Sequence, residues 1–206
     1  MKYRIGVMGS SQGPLIENQD TIAKSIQIGH HIAKAGCILV NGACPGLPDE
    51  AAYGAHKAGG FVLGISPAFS EKEHIETYKS PFEYYDAILY TAMGLMDRDI
   101  VNIRSSDAVI LLGGGIGTLN EFTVAFDEGK VIGVLKGSGG VSDHIPQIVE
   151  ICKRDMLDTV VIEDDPKILV QKVLNALETH KTPTVQDERV VESEGKIYKK
   201  DEKTAQ

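Results

Sequence analysis

The chain has 206 residues and carries 21 Lys and Arg against 29 Asp and Glu, so its formal net charge is −8. A hydrophobic fraction of 42% and a charged fraction of 24% fit an ordinary globular chain, long enough for one domain of about 150 residues with an appendage. No run approaches the roughly 18 apolar residues of a membrane span, the opening MKYRIGVMGS has no apolar signal region, and an acidic chain without a basic stripe argues against broad nucleic-acid binding.

In chain order, short apolar or β-branched runs alternate with stretches of helical period. A strand is predicted at Tyr3–Met8, a helix at Thr21–Lys34, a strand at Cys37–Val40 and a helix at Glu50–Ala58. A strand at Phe61–Ile65 leads into Ser66–Glu83, a polar stretch with Pro67 and Pro81 that reads as a surface excursion or lid. Then come strand Ala87–Tyr90, helix Met93–Arg104, strand Ala108–Leu112 and helix Leu119–Glu128. Strand Val131–Leu135, helix His144–Lys153, strand Thr159–Ile162 and helix Lys167–Leu177 complete the pattern. The runs are apolar on both faces, which suits central parallel strands covered by helices. The expected fold is therefore a Rossmann-like α/β doubly wound, mainly parallel sheet of about seven strands with helices on both faces. Asp165-Pro166 reads as an N-cap followed by Pro at the first helical position. The nucleotide-binding domain is expected over residues 1–180. Residues 181–206 are expected to be a polar C-terminal tail, with a small hairpin around Ser193-Glu194-Gly195.

In such sheets ligands bind beyond the carboxyl ends of the strands. Three glycine-rich turns fall there: GSSQG at Gly9–Gly13, NGACPG at Asn41–Gly46 and GGGIGT at Gly113–Thr118. None fits the P-loop or the GxGxxG pattern. The third opens a helix, so Gly114, Gly115 and Gly117 would let an anion approach free backbone N–H groups, and Thr118 would add a hydroxyl. The plain alternative is a tight strand-to-helix turn. Gly9, Ser10, Asn41 and Gly42 are candidate contacts from the other two turns. Thr118-Leu-Asn-Glu121 also has the S/T-x-x-E form of a capping box, so Glu121 reads equally as a helix cap and as a catalytic carboxylate. Arg98 and Arg104 do not share a helix face, and each is ordinarily a solvated arginine unless one enters the glycine-lined mouth as an anion clamp.

The segment Met96–Glu121 resembles the LONELY GUY family, whose members are often labelled lysine decarboxylases. The family hallmark PGGxGTxxE is met here by Gly114, Gly115, Gly117, Thr118 and Glu121, with Arg98 at the expected offset. The resemblance covers about residues 3–180 and implies a phosphoribohydrolase. Such an enzyme cuts the N-glycosidic bond of a nucleoside 5′-monophosphate to give free base and ribose 5-phosphate. By the same resemblance the Gly114–Thr118 turn holds the phosphate, Glu121 and Arg98 form the catalytic pair, and the protein is a homodimer or higher homo-oligomer. A carboxylate near an oxocarbenium-like centre makes chemical sense. Three positions depart from the family pattern: Asp99 for Lys, Asn120 for an acid, and Gly113 for Pro. The shorter Asn41–Gly46 turn is more like the related molybdenum-cofactor carrier-like branch. The second hypothesis is thus a non-catalytic carrier of a phosphorylated pterin or nucleotide, and the third a nucleotide-sensing subunit.

A lysine decarboxylase reading lacks support, since a pyridoxal enzyme needs a Schiff-base lysine, and Lys57 and Lys130 read as surface residues. His30-His31 lacks a metal-ligand spacing. Cys37, Cys44 and Cys152 form no CxxC and fit a reducing cytosol, so a cytoplasmic protein with no metal and no cofactor is expected. Cys44 reads as a small buried residue or a pocket residue. Gly137–Gly140 is expected to border the ligand.

Overall fold

The computed structural model of the protein describes residues 1–152 and 159–180. The expected tail and hairpin lie outside the described residues. The strands are β1 (Arg4–Gly9), β2 (Ile38–Asn41), β3 (Phe61–Ser66), β4 (Ala87–Tyr90), β5 (Ala108–Leu112), β6 (Val131–Leu135) and β7 (Val160–Glu163). They form one seven-stranded sheet in the order β4-β3-β2-β1-β5-β6-β7, and every neighbouring pair is parallel. The helices are α1 (Gln19–Lys34), α2 (Leu47–Lys57), α3 (Glu71–Glu76), α4 (Gly94–Arg104), α5 (Ile116–Asp127), α6 (Ile145–Cys152) and α7 (Pro166–Thr179).

Side-chain alternation makes the layers. Successive strand residues face opposite sides of a sheet. Ile110 and Leu112 of β5 join a core with Ile28 and Ile32 of α1 and Val173 of α7. Val109 and Leu111 of the same strand join a second core with Ile103 of α4 and Phe122 of α5. A strand between two helical layers has no polar face to spare, so β5 reads AVILL and is buried throughout. The layer of α1 and α2 is held close by glycine: a Cβ on Gly29 would strike the backbone of Ala51, and one on Gly54 the backbone of Ile26. No helix among the described residues is long and apolar enough to cross a membrane.

Helix starts follow their caps. The Asn18 side chain accepts from Thr21 N at 3.0 Å and starts α1 earlier than periodicity suggests. Asp165 accepts from Ile168 N at 2.8 Å, the cap expected from Asp165-Pro166. Helix α5 differs. It begins at Ile116 with Gly115 as N-cap and no side-chain cap bond. Thr118 and Glu121 are thus inside the helix, and the capping-box reading of Glu121 fails.

The Ser66–Glu83 excursion is neither loose nor a lid. It contains α3, and buried His74 pins it, with Nδ1 2.9 Å from Ser66 Oγ and Nε2 2.9 Å from the Pro81 carbonyl. These bonds lie on the β3–β4 side of the sheet. The chain winds outward from β1 to β4, then crosses back to lay β5 on the other side of β1. That reversal opens a crevice at the carboxyl ends of β1 and β5, the usual ligand position in this architecture.

Candidate functional site

A cavity of about 570 Å³ fills this crevice, within the ordinary range for small-molecule sites. The Gly9–Gly13 loop, the β2–α2 turn, the first half of α4 and the β5–α5 turn surround it. No residue of the 66–83 excursion lines it, and among the described residues no lysine does. Among the described residues no group of three or more His, Cys, Asp or Glu is placed to hold a metal ion.

The β5–α5 turn is shaped by Gly113 and Gly114, at φ +61 and +92. Gly113 is therefore no passive replacement for proline, whose φ is fixed near −65°. Its N–H donates to Ser138 Oγ at 2.8 Å, and a proline would have no such donor. Gly114 N donates to Ser10 Oγ at 2.7 Å. Val141 N and Ser142 N donate to the carbonyls of Gly114 and Gly113. The Gly137–Gly140 segment, expected beside the ligand, thus clamps the turn and does not line the cavity. With these bonds made, the N–H groups of Gly113 and Gly114 are taken. Those of Gly115, Ile116, Gly117 and Thr118 are the first four of α5 and have no intrahelical acceptor. All four residues line the cavity. A Cβ on Gly115 or Gly117 would meet nothing within 4 Å, and neither has a positive φ.

The floor is made of side chains from α4 and α5. Arg98, Asp99 and Glu121 are buried and line the cavity. Arg98 Nη1 lies 3.5 Å from Asp99 Oδ1, and its Nε has no hydrogen-bond partner. Arg104, one of the two arginines weighed from sequence, is exposed and paired with Glu128 at 2.7 Å. Gly42 explains how a guanidinium is housed here: a Cβ at that position would collide with Arg98 Nη1. Asn41 is wholly buried. Its Nδ2 donates to the Pro48 carbonyl at 2.8 Å, and its Oδ1 accepts from Ala43 N at 2.9 Å. Its amide holds the β2–α2 turn, and it does not line the cavity. Ser10 and Gly9 do.

Burial, reinforced by repulsion from Asp99, pushes the Glu121 carboxyl up to about 8, although Arg98 and the Asn102 amide pull it down. Asn102 Nδ2 donates to Glu121 Oε1 at 3.5 Å and approaches Met8 Sδ at 3.2 Å, while its Oδ1 has no partner. Glu121 is thus mostly an uncharged acid at neutral pH. Burial also raises Asp99, against the pull of Arg98 and of the Asn120 amide. Burial pushes Cys44 up to about 12 despite Arg98, so its thiol stays protonated. Asn102 escaped the sequence reading, although it stands one turn beyond Arg98 on the same helix face.

Two of the three departures from the family pattern meet in space. Asn120 Nδ2 donates to Asp99 Oδ2 at 3.1 Å. Where the resemblance has Lys at 99 and an acid at 120, this chain has a carboxylate bonded to an amide. The carboxyl missing from position 120 has a counterpart at position 99, on the opposite helix of the same cavity.

Residues 2–170 match the description SLOG cluster4 family. The chain belongs to the SLOG cluster4 family. A protein of Archaeoglobus fulgidus, described only as uncharacterized, is 32% identical over 133 residues, spanning 65% of this chain and 80% of that one. The molybdenum cofactor carrier protein of Chlamydomonas reinhardtii superposes with a TM-score of 0.71 at 26% identity, covering 87% of this chain and 100% of the other. The molybdenum cofactor binding protein of Rippkaea orientalis gives 0.68 at 26% identity over 87% and 97%. This SLOG cluster4 chain therefore shares its Rossmann-like sheet with proteins whose names state cofactor binding.

Proposed function

We propose that the protein binds a phosphorylated heterocycle, a phosphorylated pterin such as the molybdenum cofactor or a nucleoside monophosphate, and holds it intact. The observation that carries this reading is Arg98, a buried guanidinium that lines the cavity with its Nε unpartnered. A buried charge with an unused donor is costly unless a ligand completes it. The first turn of α5 supplies the matching backbone donors, and the helix dipole adds to them. Gly117 supports the same reading, because a side chain there would meet open space at an ordinary helical φ. The carrier reading is preferred to cleavage because Glu121 is mainly neutral near pH 7, whereas stabilising an oxocarbenium centre needs a charged carboxylate.

Hydrolysis is the second reading, and one observation favours it. Glu121 and Asp99 place an acid and a second carboxyl in a single cavity, the pairing that glycoside cleavage uses. One experiment separates the two. The purified protein is incubated with a phosphorylated pterin and a panel of nucleoside monophosphates, then analysed by chromatography. A carrier returns one equivalent of intact ligand, and Glu121→Gln still binds it. A hydrolase releases free base, and Glu121→Gln abolishes that release. Exposed Leu95, Met96 and Ile116 rim the cavity. The expected homodimer would cover them, and sedimentation would read that state.

A further inference from the structure

We propose that Asp99 selects the ligand ring, taking the adjacent N–H and NH2 donors of a 2-amino-4-oxo heterocycle, the edge shared by guanine and pterin, and rejecting adenine. The inference rests on the binding reading above and names the ligand class of that same site. An ionised carboxylate offers acceptors only, about four lone-pair positions on two oxygens. At Asp99 one position on Oδ2 is taken by Asn120 at 3.1 Å. Oδ1 faces Arg98 Nη1 at 3.5 Å, too far for a strong bond. The residue is buried and lines the cavity, so its remaining acceptor capacity is available to a ligand there. A buried acceptor pair is best met by two parallel donors on one rigid edge.

The 2-amino-4-oxo edge offers those two donors with a carbonyl oxygen beside them. Glu121 lines the same cavity and, being uncharged near neutral pH, can donate to that carbonyl. Carboxylate plus neutral acid thus complement an edge of donor, donor and acceptor. Adenine presents a ring nitrogen acceptor where Asp99 needs a donor, and the two lone pairs repel. The spacing is compatible with a phosphorylated ligand. Glu121 lies four residues beyond Gly117 on α5, about 6 Å along the axis, so a phosphate on the first turn leaves the length of a sugar or short linker before the ring.

The test measures the affinity of the purified protein for GMP, IMP, AMP, a 6-hydroxymethylpterin phosphate and ribose 5-phosphate by calorimetry. GMP is expected to bind at least about tenfold more tightly than AMP, with IMP between them because it lacks the 2-amino group. Whichever of GMP and the pterin phosphate binds more tightly names the source of the edge. Asp99→Asn is expected to bring GMP and AMP within about threefold while ribose 5-phosphate still binds. The wild-type GMP to AMP ratio stands as a test even if that variant does not fold. Ribose 5-phosphate binding with AMP equal to or better than GMP overturns this inference and leaves the anion site standing. No binding by any phosphorylated ligand overturns both.

Discussion

Two of the glycine-rich turns that meet at the cavity hold glycines that serve opposite purposes. After β5, Gly113 and Gly114 take positive φ values and turn the chain so that the start of α5 opens toward the ligand space. After β2, Gly42 has no positive φ, and its missing side chain is the space that the Arg98 guanidinium occupies. Gly113 and Gly114 serve backbone shape, and Gly42 makes room for a neighbour's bulk. The first supplies backbone donors without charge. The second houses Arg98, the one cationic side chain that lines the cavity among the described residues. If both serve a single anion, damage to either should weaken the same ligand by different amounts.

The largest loss is expected at Arg98. Arg98→Met keeps much of the volume and removes the charge. Affinity for a phosphorylated ligand should fall about 100-fold, the scale of a charged hydrogen-bonding partner. Calorimetry with ribose 5-phosphate measures it. A loss under about threefold would mean that the backbone donors of α5 suffice and that Arg98 is only an internal partner of Asp99.

The second effect concerns what lies beneath that arginine. Glu121 has a folded value of about 8 against an ordinary value of 4.5. Between these values the folded protein retains a proton that the unfolded chain has lost. Stability should therefore be fully present below pH 4.5 and fall as pH rises toward 8, by about 1.4 kcal/mol per pH unit. Burial, aided by repulsion from Glu50, raises Asp49 to about 6 and gives the same sign at lower pH, and burial lowers His31 from 6.5, a slope of opposite sign that ends near that value, so the interval from about pH 7 to 8 belongs mainly to Glu121. Urea melts across that interval should show the decline in the wild type and lose most of it in Glu121→Gln. An unchanged slope in the variant would assign the titration elsewhere.

Gly42→Ala comes third. Its Cβ would displace the guanidinium and not the backbone turn. Ligand affinity should fall roughly tenfold, less than for Arg98→Met, because the charge remains nearby in a poorer position. In Arg98→Met the same glycine change should cost much less, since the guanidinium it obstructs has gone. Additivity of the two changes would break the link between them.

This contrast also marks how far the sequence could be read. The sheet was legible because β5 is a short run apolar at every position, the pattern of a strand buried on both faces. The crevice was legible because three glycine-rich turns follow strands. Local roles were not. Asn41-Gly42 looks like a ligand contact in a string of letters, yet the amide is spent on Pro48 and Ala43 and the glycine on Arg98. Thr118 and Glu121 have the spacing of a cap, but Gly115 starts the helix a turn earlier. Asp99 and Asn120 read as two separate departures until their side chains meet across α4 and α5. Residues 21 apart in the chain carry no pairing signal in a single sequence. Asn102 was readable by helical spacing from Arg98, and its polar side chain in the middle of a helix was the available clue.

The smallest expected effect tests the β5–α5 turn without touching its shape. Gly117 lies in the first turn of α5 with no positive φ and open space where a Cβ would stand. For the ligand-free protein, alanine should be the better residue, since glycine within a helix costs about 0.5–1 kcal/mol. Gly117→Ala should therefore raise the melting temperature by a few degrees. A phosphate resting on the N–H groups of that turn would meet the new methyl group, so affinity should fall a few-fold in the same variant. Stability up and affinity down are opposite signs from one methyl group, and a merely structural glycine cannot give that pair. If Gly117→Ala binds ribose 5-phosphate as tightly as the wild type, the anion does not sit on the first turn of α5, and Arg98 must be holding it from the other side of the cavity.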